Sequence, residues 1–271
     1  MPKGEGTSMK KAGLLLALSI VSLLLKPLDT AATATSYSGD ATVQFTGKHP
    51  KQVMDPENPG NPADPGDSPS TDRQLRFDFV PQINFGEAEI SDTDQTYYGH
   101  AQLFKDDTGA RGNFIQVSDF RDKSTGWALQ IKQETQFQNR SAKNQKLKGA
   151  VLSFDQSWSN SLNDPATAPT VSKEVIRLLN IGETYNLAEA KPQKGEGTWS
   201  IIFGASVSND KNRADTLRPK LDEKNNPILD PAFNNQPIYE NQAVSLFIPA
   251  KGAKEPGNYQ TVLTWILSEL P

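Results

Sequence analysis

The chain has 271 residues, a formal net charge of −4 and no cysteine. That length supplies a core for one large or two small domains, so stability rests on burial without disulfides. With two histidines, His49 and His100, and no thiol, a Cys/His catalytic pair and a Cys- or His-rich zinc site are excluded.

The N-terminus reads as an export signal. Met9-Lys10-Lys11 is a basic start, Ala12–Leu25 an almost unbroken apolar run, and Ala32-Thr33-Ala34 a small-x-small cleavage site. The run is short for a membrane span, so residues 1–34 are expected to be a cleaved signal peptide and 35–271 the mature domain. Met9 is the better-placed initiator. Cleavage removes four lysines and two acids and leaves the mature chain at −6. A mildly acidic surface argues against nucleic acid and anionic lipid as partners. No second apolar span follows Leu25, so no membrane span is expected in the mature chain.

Taken in order, Ala41–Thr46 (ATVQFT) is the first expected strand. Residues 55–70 (DPENPGNPADPGDSPS) read as an exposed loop unable to bury anything; their acids lack the spacing of a calcium loop. Leu75–Phe85 resumes a period-two pattern, with Leu75, Phe77 and Phe79 inward, Arg76 and Asp78 outward, and Pro81 at a bend. Further strands are expected at His100–Phe104, Asn113–Phe120, Gly126–Ile131 (GWALQI), Leu147–Phe154, Val175–Leu179 and Thr198–Phe203. The stretches 137–148 and 160–170 read as loops, and 209–236 as a long surface excursion. Val244–Pro249 and Tyr259–Leu270 are expected to form a closing hairpin. The last strand, apolar on both faces, is expected to insert into a sheet and be covered on both sides. No stretch of the mature chain has sustained helical periodicity. The expectation is an all-β antiparallel sandwich or barrel-like domain with long loops.

Chemistry-bearing motifs are sparse. There is no Gly-x-Ser-x-Gly elbow and no phosphate-binding Gly-Lys-Ser/Thr loop. The acid pairs Asp92/Asp94, Asp106/Asp107 and Asp119/Asp122 lie in or beside turns, where Asp serves local hydrogen bonding. No catalytic residue, metal ligand or cofactor site is assigned, and the chain is read as a non-enzyme. Trp127, Trp158, Trp199 and Trp265 stand out, three of them in related strands, GWALQI, GTWSIIF and LTWILS. Core packing is the favoured reading for Trp199. Trp127 and Trp265 are open between core and a sugar-stacking platform.

GWALQI at 126–131 and YQTVLTWILSELP at 259–271 resemble the proximal and distal motifs of the WxL domain, a family of surface proteins of low-GC Gram-positive bacteria. The early GDATVQFTG, the Asp-Pro run, LRFDFVPQINFG and GEGTWSIIFG extend the resemblance over nearly the whole mature chain. It implies non-covalent attachment to the cell wall through peptidoglycan, in a complex with a membrane-anchored WxL-interacting protein and other WxL proteins. It places Trp127 and Leu129 in the proximal motif and Trp265 and Leu267 in the distal one as motif-based binding residues. Two other readings are carried beside it. One is an interaction subunit held at the surface by the membrane-anchored partner alone; the other is a wall hydrolase with an unrecognised carboxylate pair.

Overall fold

The computed structural model describes residues 51–143 and 146–270. The expected signal peptide, the strand expected at Ala41–Thr46 and His49 lie outside them. Within the described residues the strands are β1 (Leu75–Phe79), β2 (Gln95–His100), β3 (Asn113–Asp119), β4 (Trp127–Gln133) and β5 (Val151–Phe154). There follow β6 (Ser157–Asn160), β7 (Thr170–Val171), β8 (Ile176–Leu178), β9 (Thr184–Ala190) and β10 (Gly197–Phe203). The last are β11 (Leu217–Pro219), β12 (Leu229–Asp230), β13 (Gln236–Pro237), β14 (Tyr239–Ile248) and β15 (Leu263–Glu269). Among the described residues, helix is limited to short 3-10 turns at Pro165–Thr167 and Pro231–Phe233. The all-β expectation holds.

All pairings are antiparallel and build three main sheets. Sheet I runs β1-β3-β10-β6; sheet II runs β11-β14-β5-β8, with β2 also on β14; sheet III runs β15-β4-β9-β7. One core joins them: Ile115, Val117 and Ile201 from sheet I, Leu152, Phe154 and Val244 from sheet II, Trp127, Leu129 and Ile131 from sheet III. The arrangement is a layered packing of open sheets, each burying an apolar face against the others.

Sheet I is covered on its other face too. Phe79, Phe104, Phe114, Trp158 and Ile202 form a second cluster, against which Val53 and Ala63 pack. The Asp/Pro-rich segment therefore does bury residues: Asp55 and Glu57 are 3% and 1% exposed. Its burial is polar. The Gln116 amide donates to the Gln52 carbonyl (2.9 Å) and accepts from the Met54 N–H (2.8 Å). Asn160 Nδ2 donates to the carbonyls of Pro56 and Glu57. Arg111 grips both Asp55 oxygens at 2.9 Å, and Glu57 accepts from the N–H and hydroxyl of Ser206. A segment poor in apolar side chains is thus held by buried hydrogen bonds and a charge pair.

The same cover corrects the reading of β1. Arg76 and Asp78 are buried, paired at 2.7 Å, with Asp78 also accepting from Ser118. A bulge between Phe77 and Phe79 turns Phe79 into the second cluster, while Leu75 and Phe77 join the main core. The strand expected at His100–Phe104 does not form; β2 lies before it, over Gln95–His100, where no strand was expected. Strands β6 and β9 fall where no strand was expected, and the short β7, β11, β12 and β13 fall in or at the ends of the expected loops 160–170 and 209–236; β6 and β9 (SWSN, TYNLAEA) are too polar to show a clean alternation. The expected closing hairpin does not form. β14 pairs within sheet II and β15 within sheet III, so the turn after Ile248 carries the chain between sheets.

Candidate functional site

The two Trp-x-Leu strands, far apart in sequence, lie side by side. β15 pairs with β4 in unbroken register, with Leu267 opposite Leu129, Trp265 opposite Ile131 and Glu269 opposite Trp127. Because side chains alternate along a strand, Trp127, Leu129 and Ile131 share a face with Leu263, Trp265 and Leu267. That face meets the common core. Trp127 and Leu129 are 0% exposed, so neither presents surface to a ligand. The Trp127 indole N–H donates to the Gly195 carbonyl at 3.1 Å. Trp265 and Leu267 are partly buried, and the Trp265 ring meets Phe154 edge-on at 6.2 Å between centroids.

β15 is an edge strand, contrary to the expectation that it is covered on both sides. Its outward residues Thr264 and Ile266 are half-buried, Ser268 is exposed, and Val262 just before it is 57% exposed. The outward face of sheet III is partly exposed and mainly polar: Gln130 and Lys132 of β4, Asn186 of β9 and Thr264 of β15 lie beside Ile266, which sits opposite Gln130. Gln130 Nε2 donates to Asn186 Oδ1 at 2.5 Å. Thr264 Oγ1 donates to Glu134 at 2.5 Å and Lys132 Nζ lies 2.9 Å away, which together hold the Glu134 carboxyl below the ordinary glutamate range. Sequence reasoning fixed on the aromatic residues and passed over this face. Its signal was the polar alternation Gln130-x-Lys132 inside the Trp-centred strand.

The other two tryptophans are also interior. Trp158 and Trp199 are each 2% exposed and donate to the carbonyls of Gly204 (2.8 Å) and Glu196 (2.9 Å). Among the described residues no group of His, Asp and Glu is arranged to hold a metal ion. The acid pairs serve local structure. Asp119 is buried in a two-point pair with Arg121, Asp106 accepts from the N–H groups of Thr108 and Asp64, and Asp94 accepts from Ala250 N–H. His100 is partly buried; desolvation, then Lys220, pushes its pKa down.

A family model described as WxL domain, surface cell wall-binding, matches residues 32–271. The chain belongs to the WxL domain family. It is a cell-wall-associated surface protein, and the motif strands identified by their tryptophans are the paired strands at the centre and edge of sheet III. The family is one of wall-binding domains. No curated protein and no solved structure matches the chain. No helix among the described residues is long and apolar enough to cross a membrane.

Proposed function

We propose that the mature domain attaches non-covalently to peptidoglycan and performs no catalytic step. The observation that carries this reading is the union of both WxL motifs in one sheet. Their tryptophans point into the core, and the opposite face, partly exposed, carries amides, hydroxyls and a Lys/Glu pair around Ile266. Trp127, Leu129, Trp265 and Leu267 then act as the internal frame of a wall-facing domain. Polysaccharide contacts are made largely by hydrogen bonds, which a polar sheet surface and its loops can supply. The test is co-sedimentation of residues 35–271 with protein-free sacculi. Retention on sacculi supports direct attachment, and its absence contradicts it. Zymography on purified walls should show no clearing.

The domain would act within a surface assembly containing a membrane-anchored WxL-interacting protein and other WxL proteins. One feature favours a protein partner beside the glycan: the outer edge of β15 is unpaired among the described residues, and an open edge can accept a strand from another chain.

A further inference from the structure

At the end of sheet III where Trp127 begins β4, a cleft of about 400 Å³ opens between residues 163–167 and the turn 193–197. Its lining is Asn163, Asp164, Thr167, Gln193, Glu196 and Gly197: two amides, two carboxylates, a hydroxyl and a glycine, with no aromatic ring. It is an open surface cleft, and the polar side chains among its lining can hydrogen-bond a hydroxyl-rich ligand.

The walls of this cleft are fixed from beneath. Asn163 Nδ2 donates to the Glu196 carbonyl at 2.7 Å, joining the two walls directly. Gly195 N–H donates to the Thr167 carbonyl at 2.8 Å, and Lys194 Nζ to the Ala166 carbonyl at 2.5 Å. The indole N–H groups of Trp127 and Trp199 bind the carbonyls of Gly195 and Glu196 in turn. Gly195 and Gly197 both have positive φ, 69° and 75°, and a Cβ on Gly195 would come within 2.6 Å of Trp127 Nε1. Two tryptophans and two glycines therefore hold one short turn in one shape. The side chains of Gln193 and Glu196 are exposed on it.

We propose that this cleft binds the N-acetylhexosamine backbone of a wall glycan, and that Trp127 is a positioning residue for it. The proposal rests on the wall-attachment reading. The lining offers both donors and acceptors to hydroxyl and acetamido groups. Its two carboxylates, with Lys194 turned away onto a backbone carbonyl, disfavour a phosphate-bearing polymer. The buried motif tryptophan thus reaches the ligand through the Gly195 carbonyl without touching it.

The test is an amide-resolved NMR titration of residues 35–271 with triacetylchitotriose, in parallel with a glycerol phosphate oligomer and with sacculi sedimentation. The expected result is shifts at Asn163, Thr167, Gln193, Glu196 and Gly197 with the trisaccharide and none with the phosphate oligomer. The double variant Gln193→Gly/Glu196→Ala removes exposed side chains and should lose those shifts while keeping the wild-type spectrum elsewhere. Trp127→Phe keeps an aromatic ring but loses the N–H; it should weaken trisaccharide binding by about five-fold or more, the scale of one neutral hydrogen bond. Unchanged affinity in a folded Trp127→Phe protein would overturn the positioning role. Sacculi binding with no cleft shifts, or with shifts on Gln130 and Asn186 instead, would overturn the cleft and leave wall attachment standing. A cleft that answers to the phosphate oligomer would overturn the glycan assignment. Failure to bind both sacculi and trisaccharide would remove the attachment reading itself.

Discussion

Sheets I and III are both four-stranded and antiparallel and end in different states. In sheet I, β3 is buried at every residue because the Asp/Pro-rich segment lies over its second face. In sheet III, β4 alternates buried and half-buried, and among the described residues no such segment covers its second face. The motif strands belong to the open sheet, and even they differ: β4 is central, β15 an edge. A sheet covered on both faces serves the fold alone, whereas one covered on a single face has a surface to use. The family's signature tryptophans mark the inner side of that surface.

Substitutions on the two sheets probe this contrast. Arg111→Ala strips the pairing of Asp55 and Glu57 and leaves carboxylates buried, which should cost about 3–5 kcal/mol and expose residues 51–66 to proteolysis. Chemical denaturation and limited proteolysis read both effects; a near-neutral change would mean the cover is not held by this cluster. Trp127→Ala should cost a similar amount, about 3–5 kcal/mol, from the core cavity and the freed Gly195 carbonyl. Trp265→Ala, at the half-buried edge, should cost less, about 1–3 kcal/mol. Equal costs for the two tryptophans would dissolve the distinction between central and edge motif. At the small end, Gln130→Ala on the open face should change stability by no more than about 0.5 kcal/mol.

The cover over sheet I should also leave a signature in pH. Burial pushes the Glu57 carboxyl above its ordinary value, despite the Ser206 hydrogen bonds and nearby Arg111. A raised folded-state pKa means that Glu57 contributes stability below its unfolded value, lost as pH rises through the folded one. Burial alone would raise Asp55 as well, but hydrogen bonds from Arg111, Asn58 and the Glu57 N–H outweigh it and hold its pKa down. Asp55 therefore contributes stability above its unfolded value, lost as pH falls through the folded one. Glu57→Gln should raise the melting temperature near pH 7 relative to wild type and shrink that advantage toward pH 4. An advantage that grows on acidification would contradict the assignment.

Much of the β framework was legible because short runs of apolar, β-branched and aromatic residues bounded by turn residues mark strands whether one face is buried, as in Trp127–Gln133, or both, as in Asn113–Asp119 and most of Gly197–Phe203. Among the strands missed, Ser157–Asn160 and Thr184–Ala190 lack such runs, and their place, like that of Gln95–His100, is set by neighbours that are distant in sequence. The partner of β15 was not legible either. Its apolar pattern announces a strand, but pairing with β4 rather than β14 is a long-range choice. The burial of Asp55 and Glu57 was hidden for a similar reason, since Arg111, Asn160 and Ser206 come from three separate regions. At the candidate site the tryptophans were conspicuous and their direction was not. Two apolar faces on one strand give no sign of which is inward.

The central claim, that the motif tryptophans frame the wall-facing surface from inside, can be met directly with the protein labelled with 5-fluorotryptophan. Each of the four tryptophans gives a fluorine resonance whose shift between H₂O and D₂O reports solvent contact. The account predicts no solvent shift at Trp127 and a partial one at Trp265, both unchanged when soluble peptidoglycan fragments are added. A Trp127 resonance that senses solvent in the free protein and is shielded by wall fragments would contradict it.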